Sequence, residues 1–398
     1  MMEAWKKIRL GDACVTNADS YSPKEEWKFV NYLDTGNITD NRIDSIQYID
    51  VENDKLPSRA RRKVKKNSII YSTVRPNQRH FGIIKTQPEN FLVSTGFAVI
   101  DVDAGMLDAD FLYYLLTQPT LVEALHAIAE QSTSAYPSIK PSDIEDLEIE
   151  IPELATQKKI ADILGSLDRK ITQNTEVNEN LEQQAASYFY HQFIVNADPS
   201  WKEGTISDLG TVIGGSTPSK SKPEYYTDNG IAWITPKDLS VDKSKFISHG
   251  ADDITELGLR NSSASIMPAG TVLFSSRAPI GYIAIADGEV TTNQGFKSVV
   301  PNGNVGTAFV YYFLKNALPT IENMASGSTF KEISGSAMRT VPAVIPDDGS
   351  LQEFSDFCEP LFLQQRTLEA ENRSLAALRD SLLPKLMSGE LDVSELDI

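Results

Sequence analysis

Two long segments of the chain carry apolar residues at steps of three and four residues. The first covers residues 156–193, which contain no proline and a single glycine, and the second covers residues 354–386. Such steps are typical of a helix with one apolar face. We therefore predict two long helices with coiled-coil-like seams, each extending for about 54 Å. The predicted seam positions are Ile160, Leu164, Leu167, Ile171, Leu181, Leu361, Leu368, Leu375, Leu378 and Leu382.

Polar residues interrupt both predicted seams, at Asn174 and Asn178 in the first helix and at Gln364 and Glu371 in the second. A polar side chain at a seam position restricts the register and the choice of partner, at some cost in stability. Helices of this length would extend past a domain of ordinary size, so we expect them to pack on each other. The alternative, in which each helix folds back on its own domain, stays open.

The rest of the chain has a different pattern, with short β-branched and aromatic runs separated by Gly, Asn and Asp residues. These runs fill residues 27–105 and 205–300, and each set is followed by a helix, a polar loop and a strand ending in Ile-Pro. Runs of this kind predict strands and turns. We therefore expect a mixed α/β (α+β) fold class with small, curved sheets.

The second half of the sequence repeats the first. The matching segments, in order, are 5–12 with 201–210, 68–73 with 271–276, 94–97 with 293–296, 111–116 with 309–314, and 132–139 with 326–333. From the last pair to the two Ile-Pro dipeptides the offset stays at 194 residues without a gap. A repeat this long excludes a solenoid and predicts two homologous domains.

These patterns divide the chain into four parts. We expect a first domain at residues 1–154, the first long helix at 155–195, a second domain at 196–348 and the second long helix at 349–398. A chain of 398 residues also exceeds what one compact core usually holds.

The charge is unevenly distributed along the chain. The formal net charge is −18, yet no acidic residue occurs between Lys55 and Pro88, where ten basic residues lie. Binding to phosphates depends on the local charge rather than on the sum. We single out Arg59, Arg61, Arg62, Lys63, Lys65 and Lys66 as candidates for DNA contact. The alternative is a solvated basic surface without a ligand.

A search for catalytic motifs finds none. The chain has no phosphate-binding loop and no glycine-rich dinucleotide loop, and its four histidines and two cysteines lie far apart in sequence. We therefore expect a binding protein without a cofactor or a metal. No apolar run is long enough to cross a membrane, and no signal peptide is evident, so we expect a cytoplasmic protein.

Two further segments identify a family. Residues 151–160 combine Ile-Pro with Gln-Lys-Lys-Ile at the start of the first helix, and residues 375–391 read Leu-Ala-Ala-Leu-Arg-Asp-Ser-Leu-Leu-Pro-Lys-Leu-Met-Ser-Gly-Glu-Leu. Together with the duplication, they make the whole chain similar to the specificity subunit of type I restriction–modification systems.

The resemblance implies a DNA-binding role and a set of partners. Two target-recognition domains, related by a pseudo-two-fold internal repeat, would each read one half of a bipartite site in double-stranded DNA. Two long antiparallel helices would act as spacer and as dock for two methyltransferase subunits, and a restriction/translocase subunit would join them. S-adenosylmethionine would bind to the methyltransferase subunit and not to this chain.

Base reading requires forked donors or amide groups at exposed positions. Candidates are Arg75, Asn77, Gln78, Arg79, Arg277, Asn293 and Gln294. Arg277 and the pair Asn293-Gln294 are expected to be the second-domain counterparts of the polar cluster that follows residue 72. Tyr136 and Phe330, at matching places in two loops, are candidates either for DNA contact or for anchoring their loops. All of these side chains could instead contact only solvent.

Two other functions stay open. The same architecture would suit a two-domain adaptor that joins protein or glycan ligands, and the acidic total slightly favours it. The acid-free stretch and the family-like helices oppose it. A self-contained DNA enzyme is opposed by the failed search for catalytic motifs.

Overall fold

The computed structural model describes residues 5–132, 136–327, 331–394 and 396. The chain divides into two compact units, Met1–Lys170 with Leu375–Ile398 and Ile171–Ser374. Both boundaries fall inside the two long helices. Each unit therefore contains one mixed domain together with a part of each long helix.

The first domain is built from short strands and a few helices. Its strands are β1 (Lys6–Arg9), β2 (Cys14–Thr16), β3 (Phe29–Leu33), β4 (Ile38–Thr39), β5 (Arg42–Ile43), β6 (Gln47–Asp50), β7 (Ala60–Arg62), β8 (Ile69–Ser72), β9 (Phe81–Ile83), β10 (Phe91–Ser94), β11 (Phe97–Val102) and β12 (Glu148–Ile151). Its helices are α1 (Ala109–Leu116), α2 (Pro119–Glu130) and α3 (Pro141–Glu145), followed by the long helix α4 (Leu154–Tyr190). The helical path of α4 continues as a π-helical turn at His191–Val195.

Two four-stranded sheets organise this domain. One has the antiparallel order β2-β11-β8-β9, and in the other, β6-β3-β10-β7, strand β10 runs parallel to β3. Helix α1 begins after Asp108, whose carboxylate accepts a hydrogen bond from the backbone N–H of Phe111 at 3.0 Å. The core joins Tyr71 of β8 and Phe111 of α1 to Leu164 of α4.

The second domain repeats this plan with additional elements. Its strands are β13 (Lys202–Thr205), β14 (Gly210–Gly214), β15 (Tyr226–Thr227), β16 (Ile231–Ile234), β17 (Phe246–Ile247), β18 (Asp252–Ile254), β19 (Val272–Ser276), β20 (Ile280–Ala286), β21 (Thr291–Thr292), β22 (Lys297–Pro301) and β23 (Pro342–Ile345). Its helices are α5 (Ile206–Leu209), α6 (Pro236–Val241), α7 (Glu256–Arg260), α8 (Thr307–Met324), α9 (Gly335–Arg339) and the long helix α10 (Asp348–Met387).

The sheets of the second domain confirm the duplication. The order β14-β22-β19-β20-β17 extends the first sheet of domain 1 by one strand, and β15-β18-β16-β21 again contains one parallel pair, β16 with β21. A core of aromatic side chains joins Phe274 of β19 and Phe309 of α8 to Phe189 of α4 and Phe354 of α10. Both β8 and β19 are buried, as their β-branched and aromatic sequences predict.

The two long helices pack on each other in antiparallel direction, as the seam pattern and the family resemblance led us to expect. In the second unit, Asn174 Nδ2 donates to Glu371 Oε2 at 2.8 Å, whereas Tyr188 Oη, later in α4, donates to Glu353 Oε1 at 3.0 Å. In the first unit, Arg379 Nη1 donates to Asp168 Oδ1 at 2.7 Å. Partners of rising number in α4 therefore have falling numbers in α10.

The degree of burial varies along the predicted seam. Ile160 and Leu164 are buried, and most of the others are half-buried, namely Leu167, Ile171, Leu181, Leu361, Leu368, Leu375 and Leu382. The prediction is wrong for Leu378, which is 46% exposed. A straight helix drifts by about 20° per heptad relative to a 3.5-residue repeat, so the covered face moves to Arg379 and Leu383.

The polar interruption of the second seam is also displaced by one position. Gln364 is exposed, whereas Gln365 is 1% exposed and donates to the backbone carbonyl of Asn178 at 3.2 Å. The predicted interruptions at Asn174 and Glu371 are bonded to each other across the pair. Among the described residues, no helix is long and apolar enough to cross a bilayer.

Candidate nucleic-acid interface

The basic stretch of domain 1 runs along β7 and the loop that leads into β8. Arg59, Arg61 and Lys66 are exposed, and none of them forms an ion pair with a carboxylate in the described part of the chain. Such side chains can approach phosphates without first breaking an ion pair, and only Arg59 has a described carboxylate, Asp34, within electrostatic range. They form the freely available part of the basic stretch.

Other cations of the stretch are paired with acids that are distant in sequence. Lys63 Nζ lies 2.5 Å from Glu25 Oε2, and this hydrogen bond raises the pKa of Lys63. Lys65 Nζ lies 3.5 Å from Asp101 Oδ2. Arg62 is half-buried, and burial lowers its pKa. The acid-free appearance of the sequence therefore overstates the positive charge of the folded surface.

A tight turn after β8 presents the polar cluster predicted for base reading. Arg75 and Arg79 flank a 3₁₀ turn and have positive φ angles of 48° and 58°. Residues other than glycine rarely adopt this backbone region. Such backbone strain tends to accumulate at functional sites. Arg75, Asn77 and Gln78 are exposed. The guanidinium of Arg75 stacks over the ring of Tyr136 at 5.3 Å, and Tyr136 is itself 60% exposed.

Arg79 has a different environment from Arg75. Its Nε donates to Asp40 Oδ1 at 2.6 Å, and its guanidinium lies 5.1 Å from the ring centre of Phe81. A base contact by Arg79 would compete with this ion pair. Of the two arginines, Arg75 is the one that the turn leaves available.

The candidates in the second domain are bound into their own surroundings. Asn293 Oδ1 accepts a hydrogen bond from the backbone N–H of Gly295 at 2.8 Å, which shapes the turn before β22. Gln294 is exposed, and its Oε1 accepts a hydrogen bond from the hydroxyl of Thr217. Arg277 Nη1 lies 3.5 Å from Glu332 Oε2.

The hydrogen bonds of the two domains fix the correspondence between them. Thr73 N donates to Gly96 O at 2.8 Å, and Ser276 N donates to Gly295 O at 2.7 Å. The next residue in each domain forms an isolated bridge, Val74 with Ser138 and Arg277 with Glu332. Arg277 therefore corresponds to Val74, the residue before Arg75, in agreement with the sequence match of residues 68–73 with 271–276.

Two charged residues near Arg277 escaped the sequence analysis. Lys297 Nζ lies 3.8 Å from Glu332 Oε1, so both cations face the same carboxylate. The alignment of the halves pairs Glu332 with Ser138 and Lys297 with Ala98, and this change from uncharged to charged residues was the available signal. Phe330, the predicted counterpart of Tyr136, lies outside the described residues.

A buried lysine joins domain 2 to both long helices. Lys245 is 6% exposed; its Nζ forms an ion pair with Glu182 of α4 and donates to Gln365 Oε1 of α10 at 2.7 Å. Its ammonium also lies 4.2 Å from the ring centre of Phe362. Burial lowers the pKa of Lys245, and Glu182 opposes that shift.

The carboxylate at this junction is strongly stabilised. Burial alone would raise the pKa of Glu182, but the ammonium groups of Lys245 and Lys315 outweigh it and hold the pKa at about 2. Tyr312 Oη also donates to Glu182 Oε2 at 2.8 Å. A second carboxylate, Glu369, accepts the backbone N–H of Lys245 at 2.8 Å, which ties the loop before β17 to α10.

The junction of domain 1 uses a simpler set. Tyr114 Oη donates to Asp168 Oδ2 at 2.6 Å, and Arg379 of α10 donates to the other oxygen of the same carboxylate. The side chains of Arg379 and Asp168 are 30% and 32% exposed. Across the described residues of both units, no group of three or more His, Cys, Asp or Glu side chains is placed to hold a metal ion.

Comparison with known proteins finds relatives that are specificity subunits of type I restriction enzymes. The HindI type I restriction enzyme specificity subunit of Haemophilus influenzae is 26% identical over 98% of this chain and 100% of its own length. The MjaIX specificity subunit of Methanocaldococcus jannaschii is 39% identical over 42% of this chain and 41% of its own.

A solved structure and a family model complete the comparison. The type I restriction-modification S subunit from M. genitalium has a similar fold, with a TM-score of 0.58 and 19% identity over 97% of both chains. The model of the type I restriction modification DNA specificity domain matches residues 2–183 and 199–375. Since the matches cover most of both halves, the chain belongs to the family of type I restriction modification DNA specificity domains and carries that domain twice.

Proposed function

We propose that this chain is the DNA-recognition subunit of a type I restriction–modification complex and that it catalyses no step itself. Each domain reads one half of a bipartite site in double-stranded DNA. The observation that carries the proposal is the duplication: at equivalent loops the two domains carry different polar side chains, Arg75 with its neighbours in one and Arg277 with Glu332 in the other. Equivalent scaffolds with different loop residues are suited to reading two different sequences. No comparison supports the adaptor alternative.

The proposed partners follow from the family. Two methyltransferase subunits dock on the long helices and bind S-adenosylmethionine, and a restriction/translocase subunit joins the assembly in the cytoplasm. The helices act as the spacer between the two readings. Within each unit, the contacts between α4 and α10, Asp168–Arg379 in the first and Tyr188–Glu353 in the second, support a packed helix pair of this kind.

Phosphate contact in domain 1 comes from the unpaired cations of the basic stretch. Arg59, Arg61 and Lys66 are exposed without an ion pair to a described carboxylate. Each phosphate contact contributes about 0.9 to the slope of log affinity against log salt. Lys66→Ala should lower that slope for all sequences alike, whereas Lys63→Ala, which removes a cation already paired with Glu25, should lower it less.

Selection of DNA from a random pool tests the proposal. The chain is assembled with its methyltransferase subunit, and bound DNA is sequenced. We expect two short motifs separated by a gap of fixed length. A single contiguous motif, or no enrichment at all, contradicts the proposal.

Exchange of one domain provides the second test. Residues 1–154 are replaced by the matching segment of a relative, which keeps both long helices. One half of the enriched site should change and the other half should stay. If both halves change while the complex remains assembled, the domains do not read DNA independently.

A paired insertion tests the spacer. Seven residues are inserted at facing positions of both helices, after Thr175 in α4 and after Glu371 in α10. The seven residues form nearly two complete turns and add about 10 Å along the helix axis. The gap in the enriched site should lengthen by about three base pairs, since base pairs are stacked about 3.4 Å apart. An active complex with an unchanged gap contradicts the spacer role.

A further inference from the structure

Three charged side chains of domain 2 lie close together, at the end of β19, at the start of β22 and in the loop before α9. Arg277 follows β19, Lys297 begins β22, and Glu332 pairs with Arg277 through a backbone bridge. Glu332 directs one carboxylate oxygen to each cation, at 3.5 Å from Arg277 Nη1 and 3.8 Å from Lys297 Nζ. We call these three residues the charged triad.

The backbone holds the triad firmly. Glu332 N donates to Ser326 O at 2.9 Å, and Ser326 N donates to Glu332 O at 3.1 Å. The next residue, Ile333, donates to Ser276 O at 3.1 Å, beside Arg277. The loop segment that carries Glu332 is therefore fixed to the strand that carries Arg277.

Domain 1 builds the same scaffold without these charges. The bridge is repeated there as Val74 with Ser138, and Ile139 N donates to Thr73 O at 2.9 Å, whereas Ser138 N donates to Ala129 O at 3.2 Å. The places of Arg277, Lys297 and Glu332 are taken by Val74, Ala98 and Ser138. The duplicate shows that the fold does not require a charged residue at any of the three places.

The charges also have a cost in domain 2. The Lys297 side chain is only 15% exposed, and burial lowers the pKa of Lys297. Its ammonium is satisfied by Glu332 and by weak contacts to backbone carbonyls, at 3.3 Å from Phe296 O and 3.4 Å from Gln294 O. Desolvating a charge without a structural need indicates a role in binding.

We infer that the charged triad determines one base of the half-site read by domain 2, with Arg277 binding the guanine edge and Glu332 and Lys297 as positioning residues. The inference rests on the proposed function and names the residues behind one of its two readings. Arginine binds guanine O6 and N7 through two parallel donors, which requires a fixed guanidinium plane. Arg277 is 38% exposed, so it has donors left for a base while Glu332 holds one side of its fork.

Lys297 has a defined part in this arrangement. A carboxylate close to DNA is repelled by phosphates, and a nearby ammonium offsets that repulsion. Lys297 is more buried than either Arg277 or Glu332, and its ammonium also lies 3.5 Å from the hydroxyl of Ser276. It therefore holds the carboxylate in place beside Arg277.

The duplicate supplies the variant for the test. The triple change Arg277→Val, Lys297→Ala and Glu332→Ser places the residues of domain 1 at the equivalent positions of domain 2. The variant should assemble with its methyltransferase subunit and unfold near the wild-type temperature. In DNA selection, the preference for one guanine in one half-site should fall by roughly 5- to 150-fold, while the other half-site stays unchanged.

A matched control removes an ion pair elsewhere in the same domain. Glu256 and Arg260 of α7 lie 3.1 Å apart, and their side chains are 75% and 77% exposed. The double change Glu256→Ala and Arg260→Ala removes two charges without touching the triad. The enriched site should be that of the wild type at every position.

Single variants separate positioning from direct reading. Arg277→Lys and Glu332→Gln should both relax the same guanine position, the second more weakly, and Glu332→Asp should restore part of the preference. If Glu332→Gln alters a different base position, Glu332 reads DNA itself and the positioning role is overturned. If the wild type selects a bipartite site and the triple variant selects the same one, the inference fails while the proposed function stands. A wild type that selects no DNA contradicts the proposed function instead.

Discussion

In both units, a tyrosine of the first core helix after the main sheet donates a hydrogen bond to a carboxylate on α4. In the first unit, Tyr114 binds Asp168, and in the second, Tyr312 binds Glu182. The cation that completes the first junction, Arg379, comes from α10 and is about one-third exposed. The cation of the second, Lys245, comes from the domain itself and is almost fully buried.

The difference shows how two equivalent junctions between a domain and the long helices can contribute differently to stability. A partly exposed ion pair exchanges with water at little cost, because solvent screens both charges. A buried pair has lost its hydration and depends on its partner. The first junction should therefore tolerate the loss of one charge, whereas the second should not.

The largest effect is expected when the partner of the buried lysine is removed. Glu182→Leu leaves the ammonium of Lys245 without its carboxylate partner and should destabilise the second unit by about 3–5 kcal/mol. Urea unfolding and hydrogen exchange of the α8 amides measure the loss. Glu176→Leu, at an exposed position of the same helix, is the control and should change little. A loss below about 1 kcal/mol would remove the contrast between the junctions.

A smaller effect is expected at the first junction. Arg379→Ala removes the charge-assisted bond to Asp168, but Tyr114 and water still satisfy that carboxylate. The cost should be about 1–2 kcal/mol after allowance for solvent screening. Hydrogen exchange of α1 is the readout. If this variant is as damaging as Glu182→Leu, exposure does not decide the strength of the joint.

Acid provides a third comparison. The pKa of Glu182 is about 2 in the folded chain, below its ordinary value of 4.5, so its stabilising charge is fully present above pH 4.5 and is lost as the pH falls toward 2. Between pH 4.5 and 3.5 this single group should cost about 1 kcal/mol. Unfolding titrations across that range measure it. Glu182→Gln should flatten the acid dependence, and an unchanged slope in that variant would falsify the assignment.

The smallest effect is expected at the leucine that the seam pattern misplaced. Leu378→Asp should change stability by less than about 0.5 kcal/mol, because Leu378 is 46% exposed. Leu383→Asp, at a residue that is 8% exposed, is the matched comparison and should cost several times more. Thermal unfolding of the two variants checks the order. Equal losses of stability in the two variants would show that Leu378 does belong to the buried seam.

Features with a periodic or repeated signal could be predicted from the sequence. The duplication, the long helices and the strands β8 and β19 follow from spacing and from the internal match. The basic stretch is visible in the sequence as a segment, but Glu25 and Asp101, which pair with two of its lysines, are distant in sequence. Pairs of this kind depend on the tertiary fold, and no local pattern reports them.

The junctions escaped prediction for a related reason. Lys245 lies in a polar run with Asp242 and Lys243, which is typical of an exposed loop. Its ammonium is buried only in the fold, where Glu182, Tyr312 and Gln365 surround it and Glu369 ties the loop to α10. The correspondence of Arg277 with Val74, by contrast, follows from the match of residues 68–73 with 271–276, and the hydrogen bonds of the two domains agree with it.

The end of α10 completes the core of the first unit, where Leu383, Leu386 and Met387 pack with residues of domain 1. A ribosome makes these residues long after it has made the rest of that core. Domain 1 must therefore wait, with part of its apolar surface uncovered, while domain 2 is synthesised and can fold. During this interval, chaperones or early-bound partners can act on the nascent chain. The first unit is therefore the last to complete its core.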